Sequence, residues 1–361
     1  MKRLAVGLAL LLSFTGMAFA QNDFTVLATV KLDKNESITL KNLKARTAFI
    51  QKQYDAYGIK IDTVEQKKTI LDNLIYEKLI TQAAQKEGLV VTDSEVDNAF
   101  LSTFSQRLGT QVAESQLSDI IKSQTGMTLD EYIKKESSMS LAEFKEYQRN
   151  TILVQKYVYS KKYDELKKAV PTDEQIRQAY DMNKSVFVQT DMEKLFLVIV
   201  PFTSSEVEAK AKAESIKNQY LKDKKITSII NNVDNGKVYV AQERYVQQSQ
   251  QQAQILGWSY DKITELFAKD EGFVSDVIKT DSDYQFYAVE KKYPAKMLGL
   301  SDVVQPDSNY TVYEYIKANL TQQLQRQMYE QLVMDLGKSL DTAGNVDRKK
   351  TGAALESLLN W

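Results

Sequence analysis

The chain has neither a cysteine nor a histidine in its 361 residues. The first absence excludes a disulfide framework, a lipid-modified cysteine and a thiolate nucleophile. The second removes the usual general base and, with the first, the two commonest transition-metal ligands. Carboxylates, lysines, tyrosines and hydroxyls are left for any chemistry. A surplus of one charge is also lacking: 47 Lys and Arg stand against 48 Asp and Glu, which gives no electrostatic reason to expect nucleic acid or an anionic membrane as partner. Apolar runs long enough for a bilayer are missing as well. The nearest is Leu4–Phe19, preceded by Lys2 and Arg3, with Ala18-Phe19-Ala20 as a small-x-small cleavage site before Gln21, which reads as a signal peptide cleaved after Ala20. The expectation is therefore an exported, periplasmic or extracytoplasmic protein with no integral membrane segment and soluble after cleavage.

What is present is helical periodicity. From Val64 to Asp97, Ile70, Leu71, Leu74, Ile75, Leu79, Ile80, Ala83 and Ala84 recur at three- and four-residue steps. On a helix they form one apolar stripe, with Lys67, Asp72, Glu77, Lys78 and Lys86 left for solvent. Gly88 suits a left-handed C-terminal cap, and Thr92-Asp93-Ser94-Glu95 is a capping box that starts a second helix carrying Val96, Phe100 and Phe104 inward. Upstream, Thr25–Lys31 alternates like a strand, and Ser37–Leu40 leads into a helix capped by Thr39. Downstream, Gln106–Gln124 reads as a further helix. Thr128–Glu131, Ser140–Glu143 and Thr172–Gln175 are three more capping boxes, the second opening a long helix that Pro171 ends.

The pattern changes at Glu193–Phe202 (EKLFLVIVPF), a continuous apolar, β-branched run of the buried-strand type. A helix over Ser204–Lys222 follows, then Tyr239–Gln254, polar and Gln-rich, read as a mobile loop. Ile263–Phe267 and the strand-like runs Asp276–Lys279 and Tyr284–Lys291 complete a small α+β domain. Thr311–Glu314 caps a last long helix with Ile316, Leu320, Leu324, Met328, Leu332, Leu336 and Leu340 in one stripe. Asp341–Lys350 reads as loose polar chain. The fold class expected is mainly α with a small α+β domain.

The segment LDNLIYEKLITQAAQKEGLVVTDSEVD, Leu71–Asp97, resembles the helix pair of the N-terminal chaperone module in the SurA/PrsA family of periplasmic and extracytoplasmic foldases. The α+β segment is similar to the parvulin-type peptidyl-prolyl isomerase domain of that family, through Leu197–Pro201, Leu256-Gly257-Trp258, Glu271–Thr280 and Asp283–Lys292. The resemblance implies a signal peptide over 1–20, a helical SurA-type chaperone module over 21–187, an inserted parvulin-like domain over 188–293, and over 294–361 a linker and C-terminal helix that packs on the N-terminal module. It also implies that the family's two histidine positions fall on Leu197 and Gln285.

Prolyl isomerisation needs an apolar cup and a polar network around the twisting amide. Trp258, Phe267, Phe273 and Tyr284 are the candidate peptide-binding cup, set against an ordinary aromatic core. Asp276, Asp281 and Asp283 fit no calcium loop and read as turn residues. Ser275 has no histidine to activate it. No catalytic residue, metal site or cofactor is assigned. The function expected is an ATP-independent chaperone of outer-membrane biogenesis or secretion that holds unfolded polypeptide clients, its parvulin-like domain inactive. The twenty tyrosines suit such binding. Two alternatives stand beside it: a divergent peptidyl-prolyl cis-trans isomerase using tyrosines and acids, and an envelope adaptor for one folded partner. Homodimerisation by exchange of N- and C-terminal elements is left open.

Overall fold

A computed structural model describes residues 23–202, 205–231 and 238–361; the expected signal peptide lies outside them. The chain opens with β1 (Val26–Val30), β2 (Glu36–Thr39), α1 (Leu40–Asp55), α2 (Val64–Lys86), α3 (Asp93–Leu108), α4 (Glu114–Thr125), α5 (Leu129–Ser137) and α6 (Leu141–Lys167). It continues through α7 (Asp173–Met182), β3 (Val188–Gln189), β4 (Met192–Pro201), α8 (Glu206–Asp223), α9 (Ile226–Asn231), β5 (Val240–Gln247), α10 (Gln250–Leu256) and α11 (Tyr260–Phe267). It closes with β6 (Ile278–Lys279), β7 (Asp283–Tyr293), β8 (Lys296–Met297), α12 (Val312–Leu340), β9 (Val346–Arg348) and α13 (Gly352–Leu359). The architecture is mainly α with a small α+β domain.

The described residues divide into two compact units, one running to Ala169 and resuming over Gln323–Trp361, the other Val170–Gln322. The helix starts follow the sequence closely. Thr39, Thr63, Thr92, Thr128, Ser140 and Thr172 each accept a backbone N–H from the third helical residue, whose own side chain returns to the cap backbone. Each such reciprocal pair satisfies donors that a helix terminus leaves orphaned. In the first unit, α2 buries the expected stripe, from Ile70 and Leu71 to Ala83 and Ala84. Its C-terminal half meets Leu153, Val154, Tyr157 and Val158 of α6, and Leu332 of α12 joins the same cluster.

Four expectations are corrected. The helix read over Gln106–Gln124 is broken, because Gly109 ends α3 in the left-handed region (φ 68°) and Ala113 starts α4. The stretch Asp341–Lys350 is not loose: β9 adds to β1 through Ala28↔Arg348 and Val30↔Val346, giving the sheet β2-β1-β9. The Gln-rich stretch contains β5 and α10. Tyr239 and Ala241 are buried on one face of the sheet and Val246 on the other, while the glutamines occupy exposed strand positions and the helix capped by Ser249. The run Asp276–Lys279 pairs only at its end, as the two-residue β6.

A further correction concerns Lys67, which is 1% exposed rather than solvated. Its ammonium donates to the carbonyl oxygen of Leu359 (3.0 Å) and to that of Trp361, and lies 4.1 Å from the Trp361 ring centroid. A cation at the end of α13 is favourable for the exposed carbonyls there. Burial pulls the ammonium below its ordinary range, with the Asp62 carboxylate pulling back. Lys67→Met keeps the stem but strands two carbonyl groups, an expected cost of about 1–3 kcal/mol. A Trp361 fluorescence change at lower denaturant than in the wild type, in a Trp258→Phe background, is the check.

In the second unit the sheet order is β5-β4-β7-β6, all antiparallel. From Leu195 onward strand β4 is apolar, because both of its faces are covered there. Phe196, Val198 and Val200 meet Ala213, Ile216 and Tyr220 of α8, whereas Leu195 and Leu197 meet Leu256 of α10 and Ile263 and Leu266 of α11. Helix α7 joins this unit rather than the helical one, with Ile176 packed against Leu298, Val312 and Ile316.

Candidate functional site

The proposed cup residues separate by strand parity. Trp258 is buried on the α10–α11 face of the sheet, with Phe267 and Phe273 packed in the same cluster. Tyr287 lies between them, its ring 5.2 Å from Trp258 and 6.1 Å from Phe273, centroid to centroid. Tyr284 belongs to the other face, where its ring meets Phe202 at 5.4 Å. Adjacent strand residues alternate sides, so Tyr284 cannot share a cup with residues facing as Gln285 and Tyr287 do. Three of the four are therefore brought together and one is not.

Leu197 and Gln285 lie on the Trp258 face, each within one register step of the other: Leu197 pairs with Tyr287 and Ile199 with Gln285. Both are buried. The Gln285 amide is fully committed. Its Oε1 accepts from Trp258 Nε1 (2.8 Å), and its Nε2 donates to Asp283 Oδ1 (2.7 Å) and to the Leu256 carbonyl (3.2 Å). Thr280 Oγ1 donates to the same Asp283 oxygen at 2.7 Å. Ser275 is equally occupied, donating to the Asp276 carbonyl (2.8 Å) and accepting from the Tyr287 amide (2.9 Å). Asp276 pairs with Lys217 at 3.0 Å, which holds its carboxyl below the usual range. Every polar group at the histidine positions thus closes on the domain itself, satisfying buried donors as folding requires.

Open space lies elsewhere. Two clefts of the helical unit, of about 740 and 540 Å³, adjoin α2, and a further one of about 700 Å³ lies along α3 and the turn after it. The larger is walled by α1, α2 and the α5–α6 turn, with Ile38, Ala45, Leu74 and Met139 among its lining. The smaller lies between α2, α6 and α12 and is lined by Tyr76, Val154, Tyr329, Val333 and Met334. Arg46, Glu77 and Tyr147 line both. Arg46 pairs with Glu77 at 2.9 Å, and its guanidinium stands 4.8 Å from the Tyr147 ring centroid. Phe49 packs edge-on against that ring at 5.3 Å. Burial pushes the Tyr329 phenol up to about 12 and raises that of Tyr76, so both stay neutral donors at ordinary pH. The arrangement offers aromatic and aliphatic surface with a few hydrogen-bonding groups, the composition of a binding cleft. Sequence reading placed peptide binding in the α+β domain. The signal for the clefts was the tyrosine content, without any means of telling which tyrosines share a face.

The chain thus combines a capped helical unit carrying apolar clefts with a small α+β domain. Residues 1–138 match the family model described as the SurA-like N-terminal domain, a span that contains Leu71–Asp97, the segment that carried the resemblance. No curated protein matches. Among solved structures, the chain is similar to one reported for PEB4 and Cj1289, two structurally related SurA-like chaperones of Campylobacter jejuni, at 17% identity over 91% of this chain and 100% of that one, TM-score 0.30. It is also similar to PrsA from Bacillus subtilis (16% identity, 94% and 100% covered, TM-score 0.25). For the foldase protein PrsA from Lactococcus lactis the values are 17%, 93% and 99%, and 0.28. Among the described residues, no helix is long and apolar enough to cross a membrane.

Proposed function

We propose that this protein is an ATP-independent chaperone of the cell envelope that holds unfolded exported polypeptides in the clefts of its helical unit, its α+β domain acting without isomerase chemistry. The observation that carries the reading is the contrast between the two sites. The cleft between α2, α6 and α12 offers Tyr76, Tyr329, Val333 and Met334 to a ligand, whereas the Gln285 amide and Trp258 indole are spent on each other. Apolar contacts that form and break without a covalent step suit holding many chains loosely.

The test is aggregation suppression of a chemically unfolded barrel protein, with a tetrapeptide isomerase assay on the same preparation. Suppression without turnover above background is expected. Asn73→Trp, which fills the smaller cleft from an exposed position on α2, should lower suppression several-fold with the melting curve unchanged. Turnover without suppression would favour the divergent isomerase instead, and protection of a single client among several unrelated ones would favour the adaptor.

A further inference from the structure

The acceptor motif of N-linked glycosylation, Asn-X-Ser/Thr, occurs four times, at Asn35, Asn183, Asn309 and Asn319. Asp33, Asp181 and Asp307 stand two residues before the first three. A carboxylate in that place is the additional feature that bacterial oligosaccharyltransferases read, by charge pairing. Asp and Glu fill only 48 of the 361 positions, so composition alone does not put one before three of four motifs. Asn319 has Lys317 there instead and lies inside α12, its backbone tied into the helix. The structure separates the other three by what their side chains already do. Asn183 donates its amide to the Ala179 carbonyl (2.8 Å), and Asp181 pairs with Lys184 (2.8 Å). Asp307 accepts from Tyr245, Lys194 and Tyr293, and Thr311 caps α12 together with Glu314. At Asn35 nothing is spent: Asp33, Asn35 and Ser37 are exposed, and their side chains make no hydrogen bond or ion pair. The turn between β1 and β2 presents them. Gln82 of α2, fully buried, accepts from the Asp33 amide (3.0 Å) and donates to the Lys34 carbonyl (2.8 Å), which holds the base of the turn. Beyond it the chain alternates: Glu36 meets Lys78 of α2 at 2.6 Å and Ile38 is buried, so Asn35 and Ser37 face out. Strand β2 is also the edge of its sheet, so an enzyme can reach it without displacing a neighbouring strand.

We propose that Asn35 is an N-glycosylation acceptor that takes an oligosaccharide from a polyprenyl-diphosphate donor, with Asp33 and Ser37 as the residues the transferase reads. The site rests on the envelope location in the reading above, because such transferases act on the exported side of the membrane. A carboxamide nitrogen is a weak nucleophile, its lone pair delocalised into the carbonyl. An amide already bonded within the fold, as at Asn183, has to break that bond before it reacts; the Asn35 amide does not. In the transfer, a bond forms between Asn35 Nδ2 and the anomeric carbon of the sugar as the bond from that carbon to the diphosphate oxygen breaks. One amide proton passes to a base of the transferase, and polyprenyl diphosphate leaves with the bonding electron pair. The exposed Ser37 hydroxyl and Asp33 carboxylate are free to bond to the enzyme on either side of the reacting amide.

The experiment incubates the purified, folded full-length chain with a bacterial oligosaccharyltransferase and its lipid-linked oligosaccharide, and maps added mass on peptides by mass spectrometry. The peptide holding Asn35 should gain one oligosaccharide, and the peptide holding Asn319 none. Asn35→Gln should abolish the gain. Asp33→Ala and Ser37→Ala, each removing one contact to the transferase, should lower the rate by about tenfold or more with the melting curve unchanged. An unmodified Asn35 would overturn the site, as would modification that is indifferent to Asp33→Ala. A second arm makes the same chain in cells that carry the transferase and the donor, and separates this site from the reading it rests on. Modification of the purified chain, with cellular chain that keeps residues 1–20 and stays unmodified, would sink the envelope location and leave the acceptor standing. Cellular chain cleaved after Ala20 but bare at Asn35, with the purified chain bare as well, would sink the acceptor and leave the location standing.

Discussion

Gly337→Leu should destabilise the helical unit by about 3 kcal/mol, although the same change stabilises an isolated helix. Gly337 lies inside α12, where glycine costs about 1 kcal/mol relative to alanine. It stands directly over α2: a Cβ placed on it would fall 2.4 Å from the Cβ of Tyr76 and 2.5 Å from its Cγ. Those atoms are the root of the side chain, so no rotamer change clears them, and the helices must part. Parting them strips Met328, Leu332, Leu336 and Leu340 from the cluster they share with α2 and α6. Denaturant titration of the full chain, following the helical unit's transition, reads the loss.

Smaller variants sharpen that result. Gly337→Ala should already destabilise, because the clash is with the first side-chain atom. Tyr76→Ala should not rescue it, since alanine keeps the offending Cβ, whereas Tyr76→Gly should recover part of the loss as a measurable coupling between the sites. Equal stability of Gly337→Ala and wild type would show that the approach of α12 to α2 is looser than the geometry requires.

Gly337 also shows where sequence reading stops. The stripe from Ile316 to Leu340 announced a helix with one buried side, and the capping residues located the starts of α1, α3, α5, α6, α7 and α12. Both signals are local, set by the neighbours of a residue along one helix. What decides Gly337 is the residue opposite, and nothing in its own sequence neighbourhood names Tyr76. The same holds for Lys67, which looks solvated in its own helix and is buried only because α13 returns from nearly three hundred residues away. Strand β9 is invisible for that reason too: three residues acquire a structure only when β1 offers an edge. Parity, by contrast, was legible and overlooked. Tyr284 and Gln285 are adjacent in a strand-like run, so a cup requiring Tyr284 on the side of the histidine position contradicted the alternation that defined the strand. The clefts depend on α2, α6 and α12 together, which periodicity makes individually visible and cannot assemble.

The second large effect is expected at Lys292. Glu193 on β4 is fully buried, and neither of its carboxylate oxygens has a well-formed hydrogen bond. Its register partner on β7 is Lys292, whose ammonium lies 3.2 Å away and also donates to the carbonyls of Phe267 (2.8 Å) and Lys269 (2.7 Å) at the end of α11. Burial pushes the Glu193 carboxyl above its ordinary range, and Lys292 pulls it back. Lys292→Met removes the compensating charge from an ion already out of water. Breaking such a pair costs about 3–5 kcal/mol when both members are buried; the partial exposure of Lys292 brings the expectation to about 2–4. The pH dependence gives the mechanism away. A carboxyl whose folded value is raised destabilises once ionised, so the penalty should be largest at pH 8 and shrink toward pH 5 as Glu193 takes up a proton. Glu193→Gln in the Lys292→Met background should recover most of the loss at pH 8 and little at pH 5. A penalty that is the same at both pH values and indifferent to Glu193→Gln would mean that Lys292 acts only by capping the carbonyls of α11, and that the buried carboxyl is neutral throughout.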